Sequence, residues 1–218
     1  MSLHIIFGPM FSGKSTELSR LAQRSLSVTD NKSSIILINS YLDTRSSESC
    51  IRTHTGVTIP AIKKKNLMDI VDTCVENSLD LSDSSNESEK IYSVYNQATD
   101  IYIDEAQFFD DLYTFVDYAL KDGKRIIVAG LDSDCHQKPF GQILSIIPLA
   151  DSVEKKTALC SICALLGSGY KEAPFTIKLD SARVEESTLA AESADKQETV
   201  IDIGAQDKYT SVCRKHLK

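Results

Sequence analysis

Short apolar runs recur along the first 150 residues, and each is bounded by polar or glycine-containing stretches. The runs that are rich in β-branched residues occupy positions 3–7, 35–38, 101–103 and 126–129. Continuous apolar runs of this length are typical of strands that are covered on both faces, as in a parallel sheet.

Stretches with helical periodicity separate these runs. One helix is predicted from Ser15 onward, with Leu18 and Leu21 on the same face, and others around residues 66–76 and 111–121. Strands that alternate with helices predict an α/β domain over residues 1–150, in which right-handed crossovers place helices on both faces of a parallel sheet. Residues 151–218 then form a smaller C-terminal subdomain.

Two stretches rich in Ser, Asp, Glu and Ala, residues 78–90 and 181–197, interrupt this pattern. They hold few large apolar side chains, so we interpret them as insertions, most simply as solvated loops without chemistry. The formal net charge of −7 comes from these regions with their flanking residues, because residues 77–90 contribute −3 and residues 180–198 contribute −4. That charge argues against a broad nucleic-acid-binding face, although a total does not exclude a local basic groove.

The remaining composition bears on the cellular compartment. No apolar run approaches the length of a membrane span, and the N-terminus lacks a basic and then apolar leader, so we expect a soluble, cytoplasmic protein. The chain has six cysteines. In a reducing compartment such as the cytoplasm, spaced cysteines hold metal more often than they form disulfides.

Residues 8–15 spell Gly-Pro-Met-Phe-Ser-Gly-Lys-Ser, the eight-position P-loop pattern, between a predicted strand and a predicted helix. The pattern predicts that backbone N–H groups of this loop cradle the phosphates of ATP. Lys14 would reach the β- and γ-phosphates, Ser15 would place its hydroxyl on Mg²⁺, and Thr16 would lie near the α-phosphate. The alternative is an ordinary strand-to-helix turn. The phosphate-binding residues predicted here are Gly8, Pro9, Met10, Phe11, Ser12, Gly13, Lys14, Ser15 and Thr16.

Two carboxylates, Asp104 and Glu105, follow the apolar run at residues 101–103. The carboxyl ends of parallel strands form the edge where α/β folds bind ligands, so Asp104 is expected to hold Mg²⁺, through water. Glu105 would face the reacting centre, where it could accept the proton of an acceptor hydroxyl in a kinase or orient water in an ATPase.

Two pairs with a two-residue spacer, Cys160 with Cys163 and Cys213 with His216, lie 49 residues apart. Three sulfurs and one imidazole make a closed tetrahedral set that suits a structural Zn²⁺ ion. Such an ion would clamp the base of the long excursion between the pairs. The alternative is four unrelated residues.

With these motifs, the chain resembles the thymidine kinases shared by animal cytosol, many bacteria and large DNA viruses. The likeness covers nearly the whole sequence. The matching blocks follow the family's order: residues 8–16, 43–45, 104–109, 138–141 and 207–214.

The resemblance implies a P-loop NTPase-like sheet with a zinc-ribbon-like subdomain, whose lasso loop closes over the nucleoside. By the same resemblance Glu105 is the catalytic base, Arg45 lies near the donor phosphates, and Gln107 belongs to the ATP site. The resemblance also implies thymidine as substrate, a homotetramer, and feedback inhibition by thymidine triphosphate. The positions that match the family's nucleoside pocket are Met10, Phe108, Leu131, Cys135, Phe140, Thr176, Val200, Ile201, Asp202, Ile203, Gly204 and Tyr209. Without the family, Met10, Leu131 and Phe140 would be interpreted as core residues and Tyr209 as an ordinary tyrosine.

The sequence departs from the family pattern in the loop of residues 131–141. Cys135 stands where the family usually carries Phe, and the dipeptide at 136–137 lacks the family's usual Arg. Asp202 interrupts an otherwise apolar segment. These departures bear on substrate preference and on closure of the lasso, not on the reaction class.

Two other functions fit parts of the pattern. One is a P-loop ATPase whose zinc module binds a protein or nucleic acid, which the lack of a basic face disfavours. The other is a catalytically silent nucleotide-binding regulator. The joint presence of Lys14, Ser15, Asp104 and Glu105 disfavours it.

Overall fold

The computed structural model describes residues 1–28, 34–43, 50–52, 58–71, 94–179 and 208–217. Their strands are β1 (Ser2–Phe7), β2 (Ile35–Ser40), β3 (Cys50–Arg52), β4 (Thr58–Pro60), β5 (Ile62–Lys64), β6 (Asp100–Ile103), β7 (Arg125–Gly130), β8 (Ser152–Lys155), β9 (Ala158–Leu159), β10 (Glu172–Ala173), β11 (Phe175–Lys178) and β12 (Tyr209–Val212). The α-helices include α1 (Lys14–Val28), α2 (Leu112–Lys121) and α3 (Ser161–Leu165), and short 3-10 helices span Met68–Ile70, Ala106–Phe108, Ile147–Leu149 and Arg214–His216.

The main sheet has six strands among the described residues, in the order β5-β2-β6-β7-β1-β8, and every neighbouring pair is parallel. The four apolar runs correspond to β1, β2, β6 and β7, which confirms the predicted parallel α/β sheet. The edge strands β5 and β8 were not predicted from the sequence. Their short mixtures of apolar and charged residues give a weak strand signal.

Helices and loops cover the two faces of this sheet. On one face α1 packs Leu18 and Ala22 against β-strand residues such as Ile6 and Ile127, and Leu21 is partly buried there. On the other face Phe115 of α2 lies in the larger core cluster. The helices predicted from Ser15 and around 111–121 are thus confirmed. Of the stretch 66–76, residues 66–71 are described and hold the 3-10 helix Met68–Ile70, while residues 72–76 lie outside the described part.

The C-terminal part consists of two small antiparallel pairs, β9 with β10 and β11 with β12, together with α3. It has its own small apolar core, which includes Ala158, Ala173 and Val212. Strand β8 follows residue 150 in the chain but pairs with β1 in the main sheet. The division at residue 150 stays a prediction. Both acidic insertions lie outside the described residues.

Candidate active site and metal centre

The P-loop joins β1 to α1 at the carboxyl edge of the main sheet. Gly8 has a φ of +150°, and a Cβ atom at this position would lie 2.3 Å from the backbone oxygen of Lys156. A side chain therefore does not fit where the loop leaves β1. Gly13 has a φ of +80° and faces open space, with no atom within 4 Å of where its Cβ would be. The loop is therefore tight at Gly8, where it leaves β1, and has open space beside Gly13.

Lys14 is the first residue of α1, and its side chain folds back over the loop. Its Nζ donates hydrogen bonds to the Pro9 carbonyl at 2.6 Å and to Ser12 Oγ at 3.4 Å, and the residue is buried. The Ser12 hydroxyl also donates to the Pro9 carbonyl, at 2.8 Å. This ammonium group lies within the loop that would hold the phosphates. Ser15 is half-buried and Thr16 is exposed in the first turn of α1.

Asp104 and Glu105 begin directly after β6, at the same edge of the sheet. The Asp104 N–H continues the β2 ladder by donating to the Ile38 carbonyl at 2.9 Å, and Asp104 is only 1% exposed. Its Oδ1 accepts a hydrogen bond from the Glu105 N–H at 3.0 Å. Oxygen donors are what Mg²⁺ prefers, so the Ser15 hydroxyl and the Asp104 carboxylate fit a magnesium ion bound with nucleotide phosphates.

Glu105 adopts a left-handed backbone conformation, with φ 51° and ψ 40°, which is uncommon for a residue with a side chain. The chain then enters the 3-10 helix Ala106–Phe108, and this turn returns Gln107 toward Glu105. Gln107 Nε2 donates to Glu105 Oε2 at 2.6 Å, and Gln107 Oε1 accepts from the Leu131 N–H at 2.9 Å. The predicted base is thus held by a buried amide.

Some residues of the predicted nucleoside pocket lie near this pair. Phe108 and Phe140 meet edge to face, with ring centroids 5.6 Å apart, and Leu131 follows β7. Asp134 organises the loop that continues from Leu131, because its Oδ1 accepts from the N–H groups of His136 at 2.8 Å and Lys138 at 2.9 Å. Cys135 is half-buried on that turn, and its carbonyl accepts from Gln137 Nε2.

Other predicted pocket residues lie at the junction with the C-terminal part. Thr176 of β11 is buried and accepts from the Met10 N–H at 2.9 Å, and Tyr209 of β12 is half-buried opposite Lys178. The remaining predicted residues lie outside the described part of the chain: Arg45, Val200, Ile201, Asp202, Ile203 and Gly204. Their roles stay predictions.

The hairpin of β11 and β12 contacts both backbone polar groups of one P-loop residue, Met10. Thr176 accepts from the Met10 N–H, and the Ser211 hydroxyl donates to the Met10 carbonyl at 2.6 Å. Phe11, with a φ of 62°, packs against the apolar core of the C-terminal part. Sequence reasoning included Ser211 only as a member of the matching block 207–214 and gave it no role, because its partner Met10 lies 201 positions away.

An ion pair near the P-loop was also missed by sequence reasoning. Lys155 Nζ lies 2.9 Å from Asp132 Oδ2 and 5.9 Å from the centre of the Phe7 ring. Asp132 directly follows Leu131, so this pair connects the end of β8 with the loop after β7.

The four predicted metal ligands come together. The Cys160, Cys163 and Cys213 sulfurs and His216 Nδ1 all lie within 4.8 Å of one another. The Cys163 and Cys213 sulfurs are 3.8 Å apart, and each of the three sulfurs lies 3.4–3.5 Å from His216 Nδ1. Zinc bonds of about 2.3 Å to sulfur and about 2.0 Å to nitrogen give tetrahedral ligand separations of about 3.5–3.8 Å. The donor set and its dimensions therefore fit Zn²⁺.

The thiols of this cluster have perturbed acidities. Burial raises the pKa of Cys160, but hydrogen bonds from the backbone of Cys213 and Cys163 and from His216 outweigh it and lower that pKa to about 6. Burial and the neighbouring thiols raise the pKa of Cys163 to about 11. Three thiols this close together do not all ionise readily, because each thiolate repels the others. A dication among them favours the fully deprotonated set.

Among the described residues, no helix combines the length and apolar character needed to cross a membrane.

Comparisons with known proteins agree with the site. The thymidine kinase family profile matches residues 1–217. Thymidine kinase a of Arabidopsis thaliana is 38% identical over 216 residues, which cover 99% of this chain and 74% of the plant protein. The cytosolic thymidine kinase of Cricetulus griseus is 37% identical, covering 97% of this chain and 71% of that protein. The thymidine kinase of Yaba monkey tumor virus is 36% identical, covering 97% of this chain and 92% of the viral protein. With its P-loop, its Asp104–Glu105 pair and its Cys/His cluster in one chain, the protein belongs to the thymidine kinase family.

Proposed function

We propose that this protein transfers the γ-phosphoryl group of ATP to the 5′-hydroxyl of thymidine, giving thymidine monophosphate and ADP. The observation that carries the proposal is that the P-loop with its buried Lys14 and the Asp104–Glu105 pair both follow strands at the carboxyl edge of one parallel sheet. Membership of the thymidine kinase family supports thymidine as the acceptor. We propose deoxyuridine as a second acceptor.

In the proposed reaction the loop amides and Lys14 hold the phosphates of the donor. Ser15 and Asp104 would hold Mg²⁺, which neutralises charge on the β- and γ-phosphates. Glu105 takes the proton from the 5′-hydroxyl. At the same time the hydroxyl oxygen bonds to the γ-phosphorus, and the bond between that phosphorus and the ADP oxygen breaks. Arg45 is proposed to add positive charge near the donor phosphates.

We further propose that the Cys/His cluster holds one structural Zn²⁺ and that the segment between its two pairs closes over the nucleoside. Phe108, Leu131 and Phe140 would border the base, with backbone groups of residues 200–204 reading its edge. A homotetramer, feedback by thymidine triphosphate and a cytoplasmic location are proposed from the family resemblance.

A nucleoside screen tests the proposal. The purified protein is given ATP, Mg²⁺ and each of the four deoxynucleosides in turn, and nucleoside monophosphate and ADP are both measured. We expect thymidine to react fastest and to give equal amounts of the two products. ADP release that does not depend on any nucleoside would instead indicate an ATPase, and no turnover together with tight ATP binding would indicate a silent regulator.

A further inference from the structure

The described structure gives Glu105 a buried amide neighbour that tethers it to the end of β7. Gln107 is 2% exposed, donates to Glu105 Oε2 at 2.6 Å, and accepts from the Leu131 N–H at 2.9 Å. We propose that Gln107 is a positioning residue that orients Glu105 for proton transfer and ties that orientation to the Leu131 side of the nucleoside pocket. This inference rests on the proposed function and deepens it, and it gives Gln107 a role beside the base in place of the contact with ATP that the family resemblance implies.

The orientation of the amide follows from its partners. A backbone N–H can only donate, so the Gln107 atom that faces Leu131 must be the oxygen. The NH₂ group must then face Glu105, where it meets a carboxylate oxygen that accepts. The contact is therefore a charge-assisted hydrogen bond when Glu105 is ionised, which is the state a general base requires.

Two glycines make room for this arrangement. A Cβ atom at Gly130 would lie 2.7 Å from Gln107 Oε1, and one at Gly141 would lie 2.2 Å from the Gln107 carbonyl oxygen. The end of β7 and the loop after Phe140 thus pack directly on the backbone and side chain of Gln107. The amide has little room to rotate away from Glu105.

The tether has a mechanistic consequence. Glu105 begins from a left-handed backbone conformation, so its side chain direction is not set by regular secondary structure. A general base must lie within hydrogen-bonding reach of the proton it removes, and a misplacement of about 1 Å can cost about a hundredfold in rate. Gln107 fixes the carboxylate relative to Leu131, which borders the predicted nucleoside pocket.

The test is a double-mutant cycle that combines Gln107→Met with Glu105→Gln. Methionine keeps the length of the side chain but cannot form the hydrogen bonds to Glu105 and to the Leu131 N–H. We expect Gln107→Met to lower kcat about tenfold to a hundredfold, with KM for ATP unchanged within about twofold. In the Glu105→Gln background the same change should lower the residual kcat by less than about twofold, because no base is left to orient.

Gln142→Met is the matched control. Gln142 also bridges two backbone groups, accepting from the Tyr113 N–H at 2.8 Å and donating to the Asp110 carbonyl, and these contacts do not include Glu105. This control should keep wild-type kcat. Gln107→Glu provides a second variant if Gln107→Met does not fold: it keeps an acceptor for Leu131 but sets an oxygen against Glu105, and it should lose kcat similarly.

The outcomes separate the two proposals. If the wild-type protein does not phosphorylate thymidine, the proposed function fails. If it does, but Gln107→Met costs as much in the Glu105→Gln background as in the wild type, the positioning role is wrong. A raised KM for ATP with unchanged kcat would also overturn it and would favour direct contact of Gln107 with the donor.

Discussion

At the scale of single residues, Glu105 combines a strained backbone with the position expected of the base. A left-handed conformation costs an ordinary residue about 1–2 kcal/mol. At Glu105 it ends β6 sharply and starts the 3-10 helix that returns Gln107 to the carboxylate. The strained backbone of Glu105 therefore serves to place the Gln107 side chain beside the carboxylate.

The first prediction concerns Glu105 itself. Glu105→Gln should keep the fold and ATP binding but lose about a hundredfold or more in kcat, because a neutral amide cannot accept the 5′-hydroxyl proton. Steady-state kinetics with thymidine, together with equilibrium binding of ATP, measure both quantities. Near-normal turnover of protein free of contaminating kinase would assign the base to another residue.

The second prediction concerns Cys135, where relatives usually carry Phe. The half-buried thiol offers less contact than a ring, so thymidine should be discriminated from analogues less sharply than in those relatives. A ring's worth of apolar contact corresponds to about 1–3 kcal/mol, or about tenfold to a few-hundredfold in specificity.

Cys135→Phe tests this idea through kcat/KM for thymidine and for bulkier 5-substituted deoxyuridines. The added ring should penalise the bulky analogues more than thymidine. Equal effects on both substrates would show that residue 135 does not line the pocket.

At the scale of elements, the sequence predicted the central strands better than the edge strands. Strands β1, β2, β6 and β7 are covered on both faces, so their apolar runs are continuous and easy to recognise. The edge strands β5 and β8 contain Lys or Glu at several of their few positions, as edges often do. Their place in the sheet depends on neighbours that are distant in sequence.

The third prediction concerns the hairpin of β11 and β12. Ser211→Ala leaves the Met10 carbonyl without its hydroxyl donor at a buried junction, a loss of about 1–2 kcal/mol. Because Met10 lies within the P-loop, KM for ATP should rise about tenfold, while KM for thymidine changes less.

Thr210→Val is the control for this experiment. Its hydroxyl donates to Ser161 Oγ at 2.7 Å, within the C-terminal part. It should leave KM for ATP close to that of the wild type. Equal effects of the two substitutions would show that the hairpin does not shape the P-loop through Ser211.

At the scale of the whole molecule, the metal centre and the phosphate site are joined through a few residues. Cys213 directly follows β12, which carries Ser211, and Phe11 packs into the core that contains Cys160 and Cys163. Whatever orders this core also supports the P-loop. Metal binding energy is folding energy for the segment that the metal holds.

The fourth prediction follows from this connection. Purified protein should contain about one zinc ion per chain, and Cys160→Ser should destabilise the C-terminal part more than the main sheet. Affinity for ATP should fall as well, because the support of Met10 is weakened. Elemental analysis, hydrogen exchange and ATP binding measure these effects; a metal content near zero with nucleoside binding intact would refute the site.

The sequence identified the candidate residues of the site more completely than the contacts that arrange them. The P-loop, Asp104, Glu105 and the four metal ligands are each local patterns with fixed spacing, so one sequence is enough to recognise them. The contacts of Gln107 with Leu131 and of Met10 with Ser211 join residues 24 and 201 positions apart. No periodicity or spacing encodes such contacts, because they depend on how the finished elements pack.

The position of β1 between β7 and β8 has a consequence for the order of events during synthesis. Translation produces β1 before both strands that flank it, since their paired residues lie more than 120 positions later, and Ser211 emerges later still. A nascent chain on the ribosome therefore carries its nucleotide loop long before the strands and hairpin that shape it exist. Competence to bind ATP therefore arises only after the segment that carries Ser211 has left the ribosome.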